Sequence, residues 1–337
     1  MSIINKLKRS QPYRIDIHHH ILPPFYVAAL ESIGITTAYG VPFPDWSPEE
    51  TIGVLDKNRI ATAITSIPML GVYYKDSSFA RDLVRRCNEY SAQLMRDYPG
   101  RFGAFASLPL PDMDDALREL EYAIDTLKLD GVVLMSNVGG HYPGDQAYDE
   151  LFAEFNRKKM VVYIHPNNPP DAGIPEYLKI PLDTALDTTR AVISLLYAGF
   201  LERYPDVRII LSHTGGIVPY LARRIVLGRY EEANQTAYDK GMYDFTLRNR
   251  DPEEGIEILK RLYYDTLSPA GNDAFRTLQE LVDPSHILLA TDYPMLPKKF
   301  TAIKIAAVRR YKGFDDKKVA AIERENALEL FPRFKEV

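Results

Sequence analysis

One cysteine, Cys87, in 337 residues excludes an intrachain disulfide and any cysteine-based zinc cluster. Any metal here must be held by histidine and carboxylate. The chain also lacks an apolar run long enough to span a bilayer, and it has no strong excess of either charge: 41 Lys and Arg stand against 46 Asp and Glu, a formal net charge of -5. Neither nucleic acid nor a membrane is expected as a partner. The opening MSIINKLKRSQ is basic but has no apolar core or small-residue cleavage site of a secretory signal. Residues 1–13 therefore read as a tail, and the cytoplasm is the expected location. Internal repeats and low-complexity linkers are missing too.

What is present is alternation. Short β-rich runs at Arg14–His18, Ala61–Ile67, Phe102–Ser107, Gly131–Met135, Met160–His165, Val207–Ser212, Leu262–Asp265 and Ile287–Thr291 are separated by segments of helical period. Eight such runs suit an α/β fold of the (β/α)8 TIM-barrel type, with residues 14–337 as one domain. Helices are expected over Pro48–Asn58, Phe79–Tyr98, from Pro111-Asp112 through Leu127, Tyr148–Arg157 and Asp187–Tyr204. The span Thr301–Phe331 reads as two extra C-terminal helices broken at Lys312-Gly313, one closing the barrel and one packed outside it. Residues 21–47 form a long first connection, rich in proline, glycine and aromatics, expected over the mouth where barrel enzymes build their sites.

In RIDIHHHILPP, three of the chain's seven histidines are consecutive. Side chains of a strand alternate between faces, so Asp16, His18 and His20 are expected on one side and Ile15, Ile17 and His19 on the other. His165 ends the fifth run, His213 the sixth and Asp292 the eighth. Singly, His165 before Pro166 reads as easily as a structural histidine, and Asp292 before Tyr293-Pro294 as a turn former. Their joint placement at the barrel's mouth points to a site. Imidazoles with a carboxylate suit Zn²⁺ first by availability, while Mn²⁺, Co²⁺ and Fe²⁺ would also accept the set. His286 begins the eighth run, at the wrong end. His141, in NVGGHYPG, is either a substrate contact or a surface histidine. Phe25, Tyr26, Tyr39, Phe43 and Trp46 offer an apolar wall for a ring, or simple packing over the mouth.

The HxH of the first strand, the histidines of the fifth and sixth and the aspartate of the eighth resemble the amidohydrolase superfamily. The segments RIDIHHHILP, LDTTRAVISLLYAGFLERYPDVRIILSHTGG and DPSHILLATDYP resemble its branch related to aminocarboxymuconate semialdehyde decarboxylase. That resemblance implies one metal ion held by His18, His20, His165 and Asp292, with His213 as an acid/base group and no organic cofactor. The fourth run, GVVLMSN, has no lysine to bridge a second ion. In DWSPEET, Thr51 stands where the aminocarboxymuconate enzymes carry a substrate-binding arginine, whereas HHH and PDW are closer to the 6-methylsalicylate subgroup. Arg224, in HTGGIVPYLARR, matches an arginine those enzymes lend across a dimer interface, which implies a homodimer; the alternative is a helix-surface arginine.

The implied activity is metal-dependent, non-oxidative decarboxylation of a small aromatic or unsaturated ring carboxylic acid. Asp292 would carry the proton to the ring carbon, and His213 would orient or relay it. The alternative is a mononuclear hydrolase of a lactone, ester or amide, with Asp292 deprotonating water and His213 polarising the carbonyl. A binding module without catalysis is disfavoured, because every expected polar group is present.

Overall fold

Eight strands pair in parallel and in chain order: β1 (Arg14–His20), β2 (Ile60–Ser66), β3 (Phe102–Ala106), β4 (Gly131–Met135), β5 (Val161–His165), β6 (Arg208–Leu211), β7 (Tyr263–Asp265) and β8 (Ile287–Leu288). The computed structural model describes residues 13–38, 40–68, 76–167, 178–239, 252–267 and 271–336. Tyr39 and the tail before residue 13 lie outside them. Backbone bonds from Ile17 N to Leu289 O (3.0 Å), Asp292 N to His18 O (2.8 Å) and His20 N to Tyr293 O (2.7 Å) join the chain after β8 to β1 and close the barrel. No helix among the described residues is long and apolar enough to cross a membrane.

The barrel interior is apolar. Ile15, Ile17, Ile64, Phe105, Val133, Tyr163, Ile210 and Leu288 form one buried cluster, in which Phe105 and Tyr163 stack at 5.2 Å. The outer helices begin as their sequences dictate. Ser47 accepts from Glu50 N to cap Pro48–Lys57, Asp76 accepts from Phe79 N to cap Ser77–Asp97, and Asp112 accepts from Asp115 N to cap Met113–Glu121.

Three expectations are corrected. The segment expected as one helix over Asp187–Tyr204 is two, Thr184–Tyr197 and Phe200–Arg203, because Gly199 turns the chain at φ 74°. The first connection is partly ordered: Pro24, at the first helical position, opens a helix over Pro24–Ser32, and Thr37–Ala38 pairs with Val41–Pro42. The C-terminal span breaks at Lys312-Gly313 as expected, into a helix over Lys299–Arg310 and a last helical run, Asp316 to Leu330, that lies beyond the strands. Its Ala327 and Leu330, with Phe331 and Phe334 beyond, join the interior cluster and plug the N-terminal end.

The third correction bears on the site. The eighth strand was expected to reach Thr291 but pairs regularly only through Leu288. Beyond it the amides of Leu289, Ala290 and Thr291 donate to Ile322 O (3.1 Å), Thr266 Oγ1 (3.0 Å) and Asp16 Oδ1 (3.1 Å). A carbonyl from the C-terminal helical run and two side chains have replaced ladder partners, so these three amides stay satisfied past the end of the regular strand.

Candidate metal centre

The three histidines of β1 are sorted by a β-bulge. Asp16 pairs with Ala63 and His19 with Thr65, three steps along β1 against two along β2. Ahead of the bulge Ile15 and Ile17 face the barrel interior, and Asp16 faces out, where it accepts from His19 Nδ1 (2.9 Å) and Thr291 Oγ1 (2.5 Å). The extra residue resets the phase, so that His18 follows Ile17 inward and His20 joins it. Strict alternation therefore misplaced Asp16, which shares no face with His18 and His20. His19 packs on the Tyr293 ring at 5.3 Å, away from the cluster.

His18 is the centre of that cluster, with its ring 5.0 Å from His20, 5.1 Å from His165 and 5.3 Å from His213. Its Nε2 lies 3.2 Å from His20 Nε2, and Asp292 Oδ1 lies 3.5 Å from the first and 3.2 Å from the second. Two overlapping sets, His18 with His20 and His165, and His18 with His213 and Asp292, each bring ligand atoms within 4.8 Å of one another. Two donors about 2.1 Å from a tetrahedral ion stand about 3.4 Å apart, so this spacing fits a single ion.

The rings' outer nitrogens are already engaged. His18 Nδ1 donates to Asp265 Oδ2 at 2.7 Å, His165 Nδ1 donates to Pro166 O at 3.0 Å, and His20 Nδ1 lies 3.1 Å from Ser66 Oγ. Such outer bonds orient imidazoles and turn Nε2 toward a metal.

The charges are strongly coupled. Burial lowers His18, but its bonds to Asp265 and Asp292 outweigh that and raise it to about 10. Burial pushes His165 well below its ordinary value, helped by neighbouring His20 and His18, and pushes His213 down to about 4. Burial favours protonated Asp292, yet the bonds from His18 and His20 prevail and hold its carboxyl well below the usual range. The cluster thus pairs anionic carboxylate with imidazoles crowded against further positive charge, a donor set suited to one divalent cation.

His213 and Asp292 sit at strand ends on left-handed backbone, with φ 55° and 61°, and Thr214 follows at 56°. Non-glycine residues hold such angles only where the surroundings impose them, at about 1–3 kcal/mol each. In HTGG, a Cβ on Gly216 would stand 2.2 Å from Ala185 O, so only glycine lets the turn lie against the helix Thr184–Tyr197.

Two groups here escaped the sequence reading. Asp265 ends β7 as Asp292 follows β8, and that position at a strand's C-terminal end was the available signal. Asp187, fully buried, accepts from Ser136 Oγ, Asn137 Nδ2 (2.7 Å) and Tyr142 OH (2.6 Å), and Ser136 Oγ accepts from Asn167 N (2.8 Å) beside His165. No single-residue pattern announces that network.

The contacts of the other candidates run to residues outside the cluster. Phe25 and Trp46 pack on Tyr90, at 5.7 and 6.2 Å between rings. His141 is exposed, with Nδ1 3.0 Å from Asp145 Oδ2. Arg224 is exposed on the helix Val218–Asp239. Thr51 is buried in the helix Pro48–Lys57, its hydroxyl unpartnered among the described residues. His286 stacks on Tyr263 at 4.7 Å, at the other end of the barrel.

A closed parallel barrel whose strand ends gather imidazoles and a carboxylate is the architecture of metal-dependent barrel enzymes. The family model described as Amidohydrolase matches residues 15–333, and the chain belongs to that family. It is 36% identical over 343 residues to decarboxylase yanB of Aspergillus niger, spanning 95% of this chain and 88% of that one. It is 33% identical over 334 residues to 6-methylsalicylic acid decarboxylase of Penicillium expansum, spanning 96% and 97%. Its fold matches the crystal structure of 5-carboxyvanillate decarboxylase from Novosphingobium aromaticivorans, complexed with manganese and 4-hydroxy-3-methoxy-5-nitrobenzoic acid. That match has a TM-score of 0.76 and 21% identity over 96% of this chain and 97% of that one.

Proposed function

We propose that the protein is a metal-dependent, non-oxidative decarboxylase of a small aromatic acid of the salicylate type. Ligands alone do not separate decarboxylation from hydrolysis. The observation that carries the reading is identity of 33–36% to decarboxylases across nearly the whole chain, in a protein whose own strand ends gather the required donors.

In this reading His18, His20, His165 and Asp292 hold one divalent ion. Bound there, the ion supplies Lewis-acid stabilisation of a ring carboxylate and its neighbouring phenolate. Asp292 starts ionised, so it acts first as a base and takes the proton of the ring hydroxyl. It then returns that proton to the carbon bearing the carboxylate. The ring's π electrons form the new C–H bond, the C–C bond breaks, its electron pair restores aromaticity, and CO₂ leaves a phenolate. His213, neutral and beside His18, holds or relays the same proton. Zinc suits the nitrogen-rich donor set, and manganese is the metal of the carboxyvanillate relative.

A homodimer belongs to this reading as well. Tyr220, 80% exposed, and Leu227, 47% exposed, share a helical stripe with Arg224, which supports a second copy packing there.

The test is a panel of 6-methylsalicylate, 2,6-dihydroxybenzoate and 5-carboxyvanillate scored for CO₂ release, beside lactones and esters scored for hydrolysis. Release of CO₂ that depends on the metal is expected. Lactone cleavage with every ring carboxylate left intact would overturn the reading in favour of a hydrolase.

A further inference from the structure

Asp265 is fully buried at the end of β7 and uses both its oxygens. Its Oδ2 accepts from His18 Nδ1 at 2.7 Å, and its Oδ1 accepts from the amides of Thr214 at 3.1 Å and Leu267 at 2.9 Å. We propose that Asp265 is a positioning residue with two tasks: it fixes the His18 tautomer that presents Nε2 to the metal, and it holds the left-handed turn that carries His213. The inference rests on the metal-centre part of the function proposed above and is independent of the substrate.

A neutral imidazole carries one N–H, and a carboxylate can only accept. Facing Asp265, the His18 proton therefore sits on Nδ1 and leaves the Nε2 lone pair pointing into the cluster. An asparagine at this position would nearly match the shape but not the chemistry. Its carbonyl is claimed by the two backbone amides, which only an oxygen can satisfy, so its NH₂ must face His18 Nδ1. His18 would then have to accept at Nδ1 and carry its proton on Nε2, where the ligand bond forms. Asp265→Asn thus preserves the turn and reverses the tautomer, whereas Asp265→Ala removes both supports. The turn needs support, because His213 and Thr214 occupy left-handed backbone at φ 55° and 56° without being glycine.

The experiment compares wild-type protein, Asp265→Asn and Asp265→Ala, each stripped of metal and titrated with Co²⁺ against a competing chelator. Asp265→Asn is expected to bind Co²⁺ about 10–100-fold more weakly while its metal-free form melts near the wild type. Equal Co²⁺ affinity would overturn the tautomer task. A second measurement needs no variant: nitrogen NMR of the histidine side chains in zinc-loaded wild type should show His18 protonated at Nδ1, and a proton on Nε2 would overturn the assignment. For the turn, hydrogen exchange of the Thr214 amide should quicken in Asp265→Ala and stay slow in Asp265→Asn; equal protection in all three would overturn the second task. None of these readouts involves substrate, so their failure leaves the decarboxylase reading standing, and failure of the substrate panel leaves Asp265 in its role.

Discussion

At the N-terminal end of the barrel, Glu323 is buried against Arg14 at 3.0 Å and Arg309 at 2.6 Å, while Phe331 and Phe334 fill the opening. At the C-terminal end, the carboxylates of Asp265 and Asp292 meet imidazoles, whose Nε2 atoms are left facing one another. Both ends bury charge, but only the lower end pairs it with guanidinium groups that stay charged at every relevant pH. Backbone strain follows the same division. Arg59, Lys128 and Lys159 have positive φ just past helix ends, where a left-handed residue is ordinary capping, whereas His213, Thr214 and Asp292 adopt it at strand ends. Similar φ angles therefore serve chain reversal at one end and the site at the other. The lower end supplies stability, and the upper end spends some of it on holding reactive groups in place.

The comparison breaks most visibly if an upper-end substitution leaves chemistry intact. His20→Ala is expected to weaken metal binding by more than about 100-fold, beyond the loss usual for an outer hydrogen-bond partner, and to abolish turnover; metal analysis and CO₂ release check it. Asp292→Asn should lower turnover by about 10²–10⁴-fold, the range of a lost proton carrier, without a matching fall in melting temperature. At the lower end the pattern reverses. Phe331→Ala should cost about 3–5 kcal/mol in denaturant unfolding, with turnover per folded molecule unchanged. His19→Ala tests the boundary between the two kinds of residue, because His19 adjoins both ligands of β1 yet bonds to Asp16. A loss of about 1–3 kcal/mol with metal content retained is expected, and metal loss equal to that of His20→Ala would show that the bulge does not turn it away.

The subtlest contrast is in pH dependence. In metal-free protein the folded state binds the His18 proton up to about 10 against an ordinary 6.5, so that stabilisation is complete below pH 6.5 and lost as pH rises toward 10. His213, lowered to about 4 against 6.5, has the opposite sign: the unfolded chain takes up a proton the fold excludes, and stability falls as pH drops from 6.5 to 4. Thermal midpoints of metal-free protein should peak between the two windows, near neutrality. Added metal, which replaces the His18 proton, should flatten the alkaline limb. Phe331→Ala should lower the whole curve without reshaping it, and a reshaped curve would place a titrating group at the lower end.

Much of this was legible along the chain. The alternation of β-rich runs with helical segments announced eight strands, and Pro48 and Pro111-Asp112 marked helix starts close to where the structure has them. His165, His213 and Asp292 could be assigned to strand ends because each follows a short apolar run. These features are local: period, capping and turn chemistry are written within a few residues of one another.

What local pattern left undetermined was settled by distant partners. Alternation put Asp16 beside His18, and only the pairing of β1 with β2, together with the Thr291 bonds to Asp16, reveals the bulge that separates them. Gly199 breaks a helix that periodicity alone would continue. Periodicity gave two C-terminal helices without saying what they cover, and only the open end of the barrel accounts for Phe331 and Phe334. Asp265 drew no attention as the last residue of an ordinary strand, for its meaning comes from His18, 247 positions away in the chain. The sequence by itself determined which residues could bind, cap and turn; tertiary structure decided which of them meet, because closing the barrel brings strand ends from the whole chain to one mouth.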